Sequence, residues 1–481
     1  MKQLKTNIKT ILADTKTPTG IFMSLRDLYQ KPLLLESSDY NNKQNHYSYI
    51  CFNPLASFEL HKKELKISDR TTSTSVDLSP SDRSLVQKLI DFKEQFSYEE
   101  NNFAFCTSGI FGYSSFNAIE YFEDIVLKEK PGNDPIPTVL YYVYSLILVF
   151  NHSNNSLHLI SHAESDSDSL FQLENLIMNL NTQQITEFNF KAVGAERSNQ
   201  SDEEFIELVN KSKKHCLLGD VFQLVMSRQF SQQYKGDDFN LYRALKNINP
   251  SPYLFYFDTG KFRLIGSSPE AQLIVNKGKA QINPIAGTYR RTGNDLENLE
   301  NANNLLQDKK ETAEHMMLVD LARNDLSKYC KNVAPTYLKQ VQFYSHVIHL
   351  VSKIEGDLNE NTHPYELLAS SSPAGTLSGA PKYKAIQLID AYEPTSRGYY
   401  GGSIGFISNK YDLNHAIMIR TFLSKDGKLY YQAGAGIVAA SNAESEKNEI
   451  YHKINALKTA IKEAEKINKT LPSYSHETTS A

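Results

Sequence analysis

Hydrophobic and polar positions change period several times along this chain, and each change marks an element. Residues 139–150 (VLYYVYSLILVF) are apolar almost throughout, a polar NHSNNS follows, and LHLISH closes a pattern that predicts a hairpin of two buried strands. Tyr and Ser interrupt the first run, which falls short of the roughly 20 residues that cross a bilayer. HYSYICF at 46–52 reads as another strand, and the spacing from Ser84 to Phe96 predicts a helix, so residues 1–165 are expected to form an N-terminal α+β lobe. Beyond an acidic ESDSDS loop, an amphipathic stretch to about Leu180 predicts a short helix. The residues after it keep no period that builds a core, and 166–200 is expected as a linker.

Ser201, with Glu204 three residues on, has the form of a capping box, and Gly219 is placed to end the helix it opens. Strand patterns at 221–230, 262–265, 272–284, 343–354, 403–408, 415–422 and 428–433 alternate with helical ones near 296–326, 381–391 and 444–466, which predicts a second domain over 201–466. The remaining 467–481, with its KTLPSYSHETTSA tail, is expected to be disordered.

Composition then narrows the function. The chain carries 51 Lys+Arg against 55 Asp+Glu, a net charge of −4 without a basic stripe, which argues against a nucleic-acid partner or an anionic membrane surface. MKQLKTNIKT lacks the apolar core of a signal peptide, and Cys51, Cys106, Cys216 and Cys330 lie far apart. A cytoplasmic protein without a disulfide framework or a cysteine metal site is expected.

Two helical patterns place charge on the apolar side. Glu311 and Glu314 share a stripe with Leu318, Leu321 and Ala322, and Glu446, Glu449 and Lys453 fall beside Ile450, Ile454, Leu457 and Ile461. One such pair is ordinarily a solvated helix face. Two pairs facing inward need a cation, because an unpaired buried carboxylate costs several kcal/mol or protonates. Oxygen-only donors point to Mg²⁺ holding an anionic substrate. Arg420 in AIMIRT is expected within a strand, paired with a core acid or clamping a substrate carboxylate. The AGAG run 433–436, expected between a strand and the last helix, lets backbone N–H groups approach an anion. His349 fits a core histidine, and Glu270 a turn residue or a general acid. From the residues alone, the chain reads as a Mg²⁺-dependent enzyme acting on a small carboxylate.

The motifs GDVFQLVMSRQF, NPSPYLFY, GSSPE, PIAGTYRRTG, DKKETAEHMMLVDLARNDL, PAGTLSGAPK, RGYYGGSIGF, IRTF and AGAGIV, in this order, resemble the chorismate-utilising enzymes, and within them the anthranilate synthase component I group. The likeness is strong over about 201–460 and looser in LLLESSD, HYSYICFNP and GIFGYSSFNAIEYFE. It implies an α+β fold of two lobes, with large, mainly antiparallel sheets flanked by helices. It further implies Mg²⁺-dependent addition of ammonia to chorismate, giving anthranilate and pyruvate, the ammonia coming from a glutamine amidotransferase subunit. Gln223 stands where water-adding members carry a lysine base, and Ala286 where aminodeoxychorismate synthases commonly carry a nucleophilic lysine, so direct attack by ammonia is implied.

By the same resemblance Glu314 and Glu449 are the direct metal ligands and Glu311 and Glu446 their neighbours. Glu270 is the acid for the departing hydroxyl, and His349 assists pyruvate elimination. Tyr400, Arg420, Thr376, Ala286, Gly287, Thr288, Gly434, Ala435, Gly436 and Lys453 match the substrate contacts. Leu35, Glu36 and Ser37, with Asn249, Pro250, Pro252, Tyr253 and Leu254, match a tryptophan feedback site, although LLLES and NPSPY are equally a strand end and a turn. The chain departs from the group's pattern at GYSSFN, at Tyr289 and at SNA before Glu446. The rival readings are a 4-amino-4-deoxychorismate synthase component I, a 2-amino-2-deoxyisochorismate synthase and a non-catalytic tryptophan-sensing subunit.

Overall fold

The computed structural model describes residues 1–37, 46–130, 136–343 and 347–467, without the side chains of Thr288, Arg290 and Lys310. The tail expected to be disordered lies, beyond Ile467, outside the described residues.

The hairpin forms as its pattern predicts, with Val139–Asn151 antiparallel to Ser156–Ala163 and Asn151 opposite Ser156. Its first strand is apolar on both faces because partners and cores surround it: Tyr47–His61 pairs along its length and Gly109–Ser114 along its first half. From this strand two antiparallel paths run into the second half of the chain. One passes through 47–61, 33–36, 253–258, 263–268, 421–425, 428–437, 223–236 and 190–198. The other passes through 109–114, 403–408, 413–417, 271–276, 279–282 and 347–358, with 285–290 and 330–343 beside the last. The fold is thus mixed α+β around large antiparallel sheets. Among the described residues the parallel pairing is Lys2–Leu12 with Phe96–Tyr98.

Helices close the sheet faces. Asp202–Leu218 carries the expected capping box, Ser201 with Glu204, and Gly219 at φ 82° ends it, a left-handed conformation that suits a residue without Cβ. Ala443–Ala464 buries Glu446, Ile450, Ile454, Leu457 and Ile461 along one side. Among the described residues, no helix is long and apolar enough to cross a membrane.

Five expectations change. The 272–284 pattern is two antiparallel strands, Ala271–Asn276 and Lys279–Ile282, and not one. The 296–326 pattern is two helices, Asp295–Gln307 and Lys309–Ser327, broken at Asp308. Within 166–200 the helix Asp166–Thr182 forms as its pattern predicts, but the residues after it, which keep no core-building period, include the strand Phe190–Ser198 paired with Gln223–Gly236. Gly434, Ala435 and Gly436 lie inside the strand Lys428–Ile437, opposite Ser227, Met226 and Val225, and not in a turn before the last helix. Arg420 sits between the strands Leu413–Ile417 and Thr421–Lys425 at φ 51°, not within a strand.

Candidate active site

The helix Lys309–Ser327 points its Glu311–Glu314 end toward the start of the strand Gln223–Gly236, with Leu318 and Ala322 buried further along. Gln223, itself buried, donates from Nε2 to Glu314 Oε1 at 2.8 Å, and its own Oε1 is buried without a partner. The amide passes over Gly436, where a Cβ would lie 2.6 Å from Gln223 Nε2. The glycines of the AGAG run therefore clear space for side chains crossing the strand. Gly434 does the same for Tyr400, whose hydroxyl would lie 2.9 Å from a Cβ there.

The last helix supplies the facing wall. Lys453 Nζ lies 2.6 Å from Glu449 Oε1 and donates to Gly434 O at 2.8 Å, while Glu446 is buried. The inward faces read from the sequence are real: Glu446 is 6% exposed, and Glu311, Glu314 and Glu449 are half-buried. Burial lowers the Arg420 guanidinium from its ordinary value, with Tyr400 and Glu449 counteracting.

Glu270 and His349 are poised oppositely. Burial pushes the Glu270 carboxyl up to about 7, against the Thr376 hydroxyl, which donates to Oε1 at 3.0 Å, and against the Lys453 charge. Burial lowers His349; its bond to Gly287 O acts the other way, and the Arg420 and Lys453 charges add to the lowering. The 2.7 Å contact from His349 Nδ1 to Gly287 O requires a proton on Nδ1, which leaves Nε2 with its lone pair. Gly287, at a register shift in the strand Ile285–Arg290, has φ 67°, and a Cβ there would fall 2.7 Å from Leu305 Cδ1 and 3.4 Å from Glu311 Oε2, so His349 and Glu311 approach the same bulge. Ala286 and Thr288 lie on that strand, opposite Leu350 and His349. The Thr288 side chain is outside the described residues. Glu270, Thr376, Gly375, Leu318 and Leu321 line one cavity.

Among the described residues, no three His, Cys, Asp or Glu side chains converge as a metal cluster. The four glutamates stand instead as one pair on each of two helices, with Glu314 engaged by Gln223 and Glu449 by Lys453. Their all-carboxylate, half-buried chemistry fits a hard divalent ion, of which Mg²⁺ takes one or two carboxylates directly.

A second cluster joins the N- and C-terminal halves. Leu35 and Glu36 pair with Phe255 and Leu254, in the strand that follows directly on NPSPY. Glu36 is 5% exposed and accepts from Lys246 Nζ at 2.8 Å and from the Tyr242 hydroxyl. Asn249 Nδ2 donates to Ser251 Oγ at 3.1 Å and to Ser267 Oγ at 3.2 Å, and Ser267 N–H donates to Arg420 O at 3.2 Å. Lys246 carries no motif of its own in the sequence. The signal was the amphipathic run Phe239–Ile248, whose last turn it occupies.

Residues 32–459 match the family model of chorismate binding enzymes, and the chain belongs to that family; it is a chorismate-utilising enzyme. Its relatives are more particular. It is 34% identical over 470 residues to anthranilate synthase component 1 of Aquifex aeolicus (strain VF5), covering 95% of this chain and 94% of that one. To the anthranilate synthase component 1 of Acetivibrio thermocellus it is 36% identical over 476 residues, 95% of each chain. The crystal structure of anthranilate synthase component I from Streptococcus pneumoniae TIGR4 matches with a TM-score of 0.77 and 30% identity, covering 86% of this chain and 93% of that one.

Proposed function

We propose that this chain is the synthase component of an anthranilate synthase. It converts chorismate and ammonia to anthranilate, pyruvate and water, the committing step toward tryptophan. The observation that carries this reading is the Gln223–Glu314 contact: a neutral amide, not a base, reaches the proposed metal-binding carboxylate. Such an amide cannot deprotonate water but can accept an N–H, and ammonia needs no base to attack. The neighbouring Ala286 has no group able to form a covalent adduct.

In this reading Arg420, Tyr400 and Lys453 hold the substrate carboxylates, fixing the ring for attack. The C–N bond forms at ring carbon 2, and the bond to the 4-hydroxyl breaks as Glu270 supplies the proton that lets it leave as water. His349 Nε2, unprotonated near neutral pH, then takes the proton from carbon 2 as pyruvate departs and the ring becomes aromatic. Mg²⁺, held by Glu314 and Glu449 with Glu311 and Glu446 nearby, would supply Lewis-acid stabilisation of the ring carboxylate. The cluster around Glu36 and Asn249 is the tryptophan feedback site, where the ligand's ammonium displaces Lys246 from Glu36.

The ammonia source follows from the same reading. The chain turns over chorismate with an ammonium salt alone but uses glutamine only when a glutamine amidotransferase subunit is added. Glutamine-dependent turnover by the purified chain would overturn the two-component assignment.

A further inference from the structure

Arg397 lies between the helix Lys382–Tyr392 and the strand Ser403–Ser408, and is 2% exposed. Nothing in the chemistry above uses it. Its guanidinium donates to Glu393 through Nε at 2.9 Å and Nη2 at 2.6 Å, to Leu377 O at 2.6 Å and to Val225 O at 2.8 Å. Glu393, also buried, accepts from the Ser227 N–H at 2.8 Å and hydroxyl at 2.6 Å. The Phe116 ring lies 4.8 Å from the guanidinium carbon, and the Tyr400 ring 5.8 Å.

Each partner adjoins a residue of the site. Leu377 follows Thr376, which donates to Glu270; Val225 is two residues beyond Gln223, which donates to Glu314; and Tyr400 is three residues beyond Arg397 itself. A planar fork joined to two carbonyls and a carboxylate fixes the distance between the segments bearing them. A lysine keeps the charge for Glu393 but offers one nitrogen, which cannot span all four acceptors.

We infer that Arg397 is a positioning residue of the active site: it clamps the turn carrying Thr376 against the strand carrying Gln223, and so sets the Thr376–Glu270 hydrogen bond. The inference rests on the reading of Glu270 as the general acid. Loosening the turn removes a bond that holds the Glu270 carboxyl down, so its ionisation moves to higher pH.

The test follows kcat/KM for chorismate against pH, at constant free ammonia, for the wild-type chain, R397K, T376V and the double variant. The expected result is an alkaline limb displaced upward by about half a pH unit or more in R397K, a similar displacement in T376V, and no further one in the double variant. R397K should also lower kcat by about tenfold, with a smaller change in KM. A change that merely loosened the fold would lower the thermal midpoint and leave the limb in place. Should R397K fail to fold, S227A is read instead, since it removes one support of Glu393; it should displace the limb in the same direction. An undisplaced limb in the folded variant, or additive displacements, overturns the inference. A wild-type chain inactive on chorismate would overturn the functional reading instead.

Discussion

Thr376 donates its hydroxyl to Glu270 in a buried setting that raises the Glu270 carboxyl to about 7, so a single contact tunes the group assigned to protonate the leaving hydroxyl. The acid form must be present for that transfer. With free ammonia held constant, kcat/KM for chorismate falls as pH rises through about 7, and E270Q loses about 10²–10⁴-fold in kcat without that limb.

The same shift links pH to stability. Glu270 is raised from 4.5 to about 7, so between those values the native chain keeps a proton that the unfolded chain releases, and stability declines as pH rises through that window. Above pH 7.5 the E270Q chain, with no carboxylate to bury, is more stable than wild type by about 1–3 kcal/mol; denaturant titrations at pH 5 and pH 8 check the sign.

In the proposed reaction His349 acts as the neutral imidazole. Because burial and the Arg420 and Lys453 charges lower it below 6.5, protonation switches off pyruvate elimination only under more acid conditions. H349A stops after amination: chromatography of quenched reactions shows an aminated, pyruvate-bearing product and little anthranilate. Release of anthranilate at the wild-type rate would remove this role.

Gly436 is required by the side chain above it. Gly436→Ala drives a Cβ into Gln223 Nε2, breaks the Gln223–Glu314 contact and raises the Mg²⁺ concentration for half-maximal activity by about 10–100-fold. A magnesium titration of initial rates reads this directly.

The proposed effector site around Glu36 and Asn249 gives an independent test. Ser37 is buried at the end of the strand paired with 254–257, so Ser37→Phe puts a large ring into the proposed effector site; turnover then continues at tryptophan concentrations that stop the wild-type chain, with half-inhibition raised at least about tenfold. Inhibition curves for the two proteins decide it.

What the sequence disclosed was local or periodic. The Ser201–Glu204 box, the 139–163 hairpin and the inward glutamates of two helices follow from spacings of two to four residues. What it concealed depended on distant partners. Gln223 meets Glu314 across 91 positions, and Glu36 meets Lys246 across 210. The strand Cys330–Phe343 escaped notice because most of its residues are exposed and its pairing with Val347–Leu358 slips in register three times, which erases alternation. Gly434 and Gly436 resembled a turn because glycine is a poor strand former; Tyr400 and Gln223, which require the missing Cβ atoms, are distant in sequence. The left-handed backbone of Arg420 leaves no mark in IMIRTF.

Amination of chorismate with expulsion of pyruvate is the activity on which every role proposed for this site depends. The most direct measurement gives the purified chain chorismate, Mg²⁺ and an ammonium salt, and follows anthranilate and pyruvate together. Equal amounts of both, abolished by a chelator, are expected. An aminated product that retains its pyruvate, or no turnover at all, would contradict this activity.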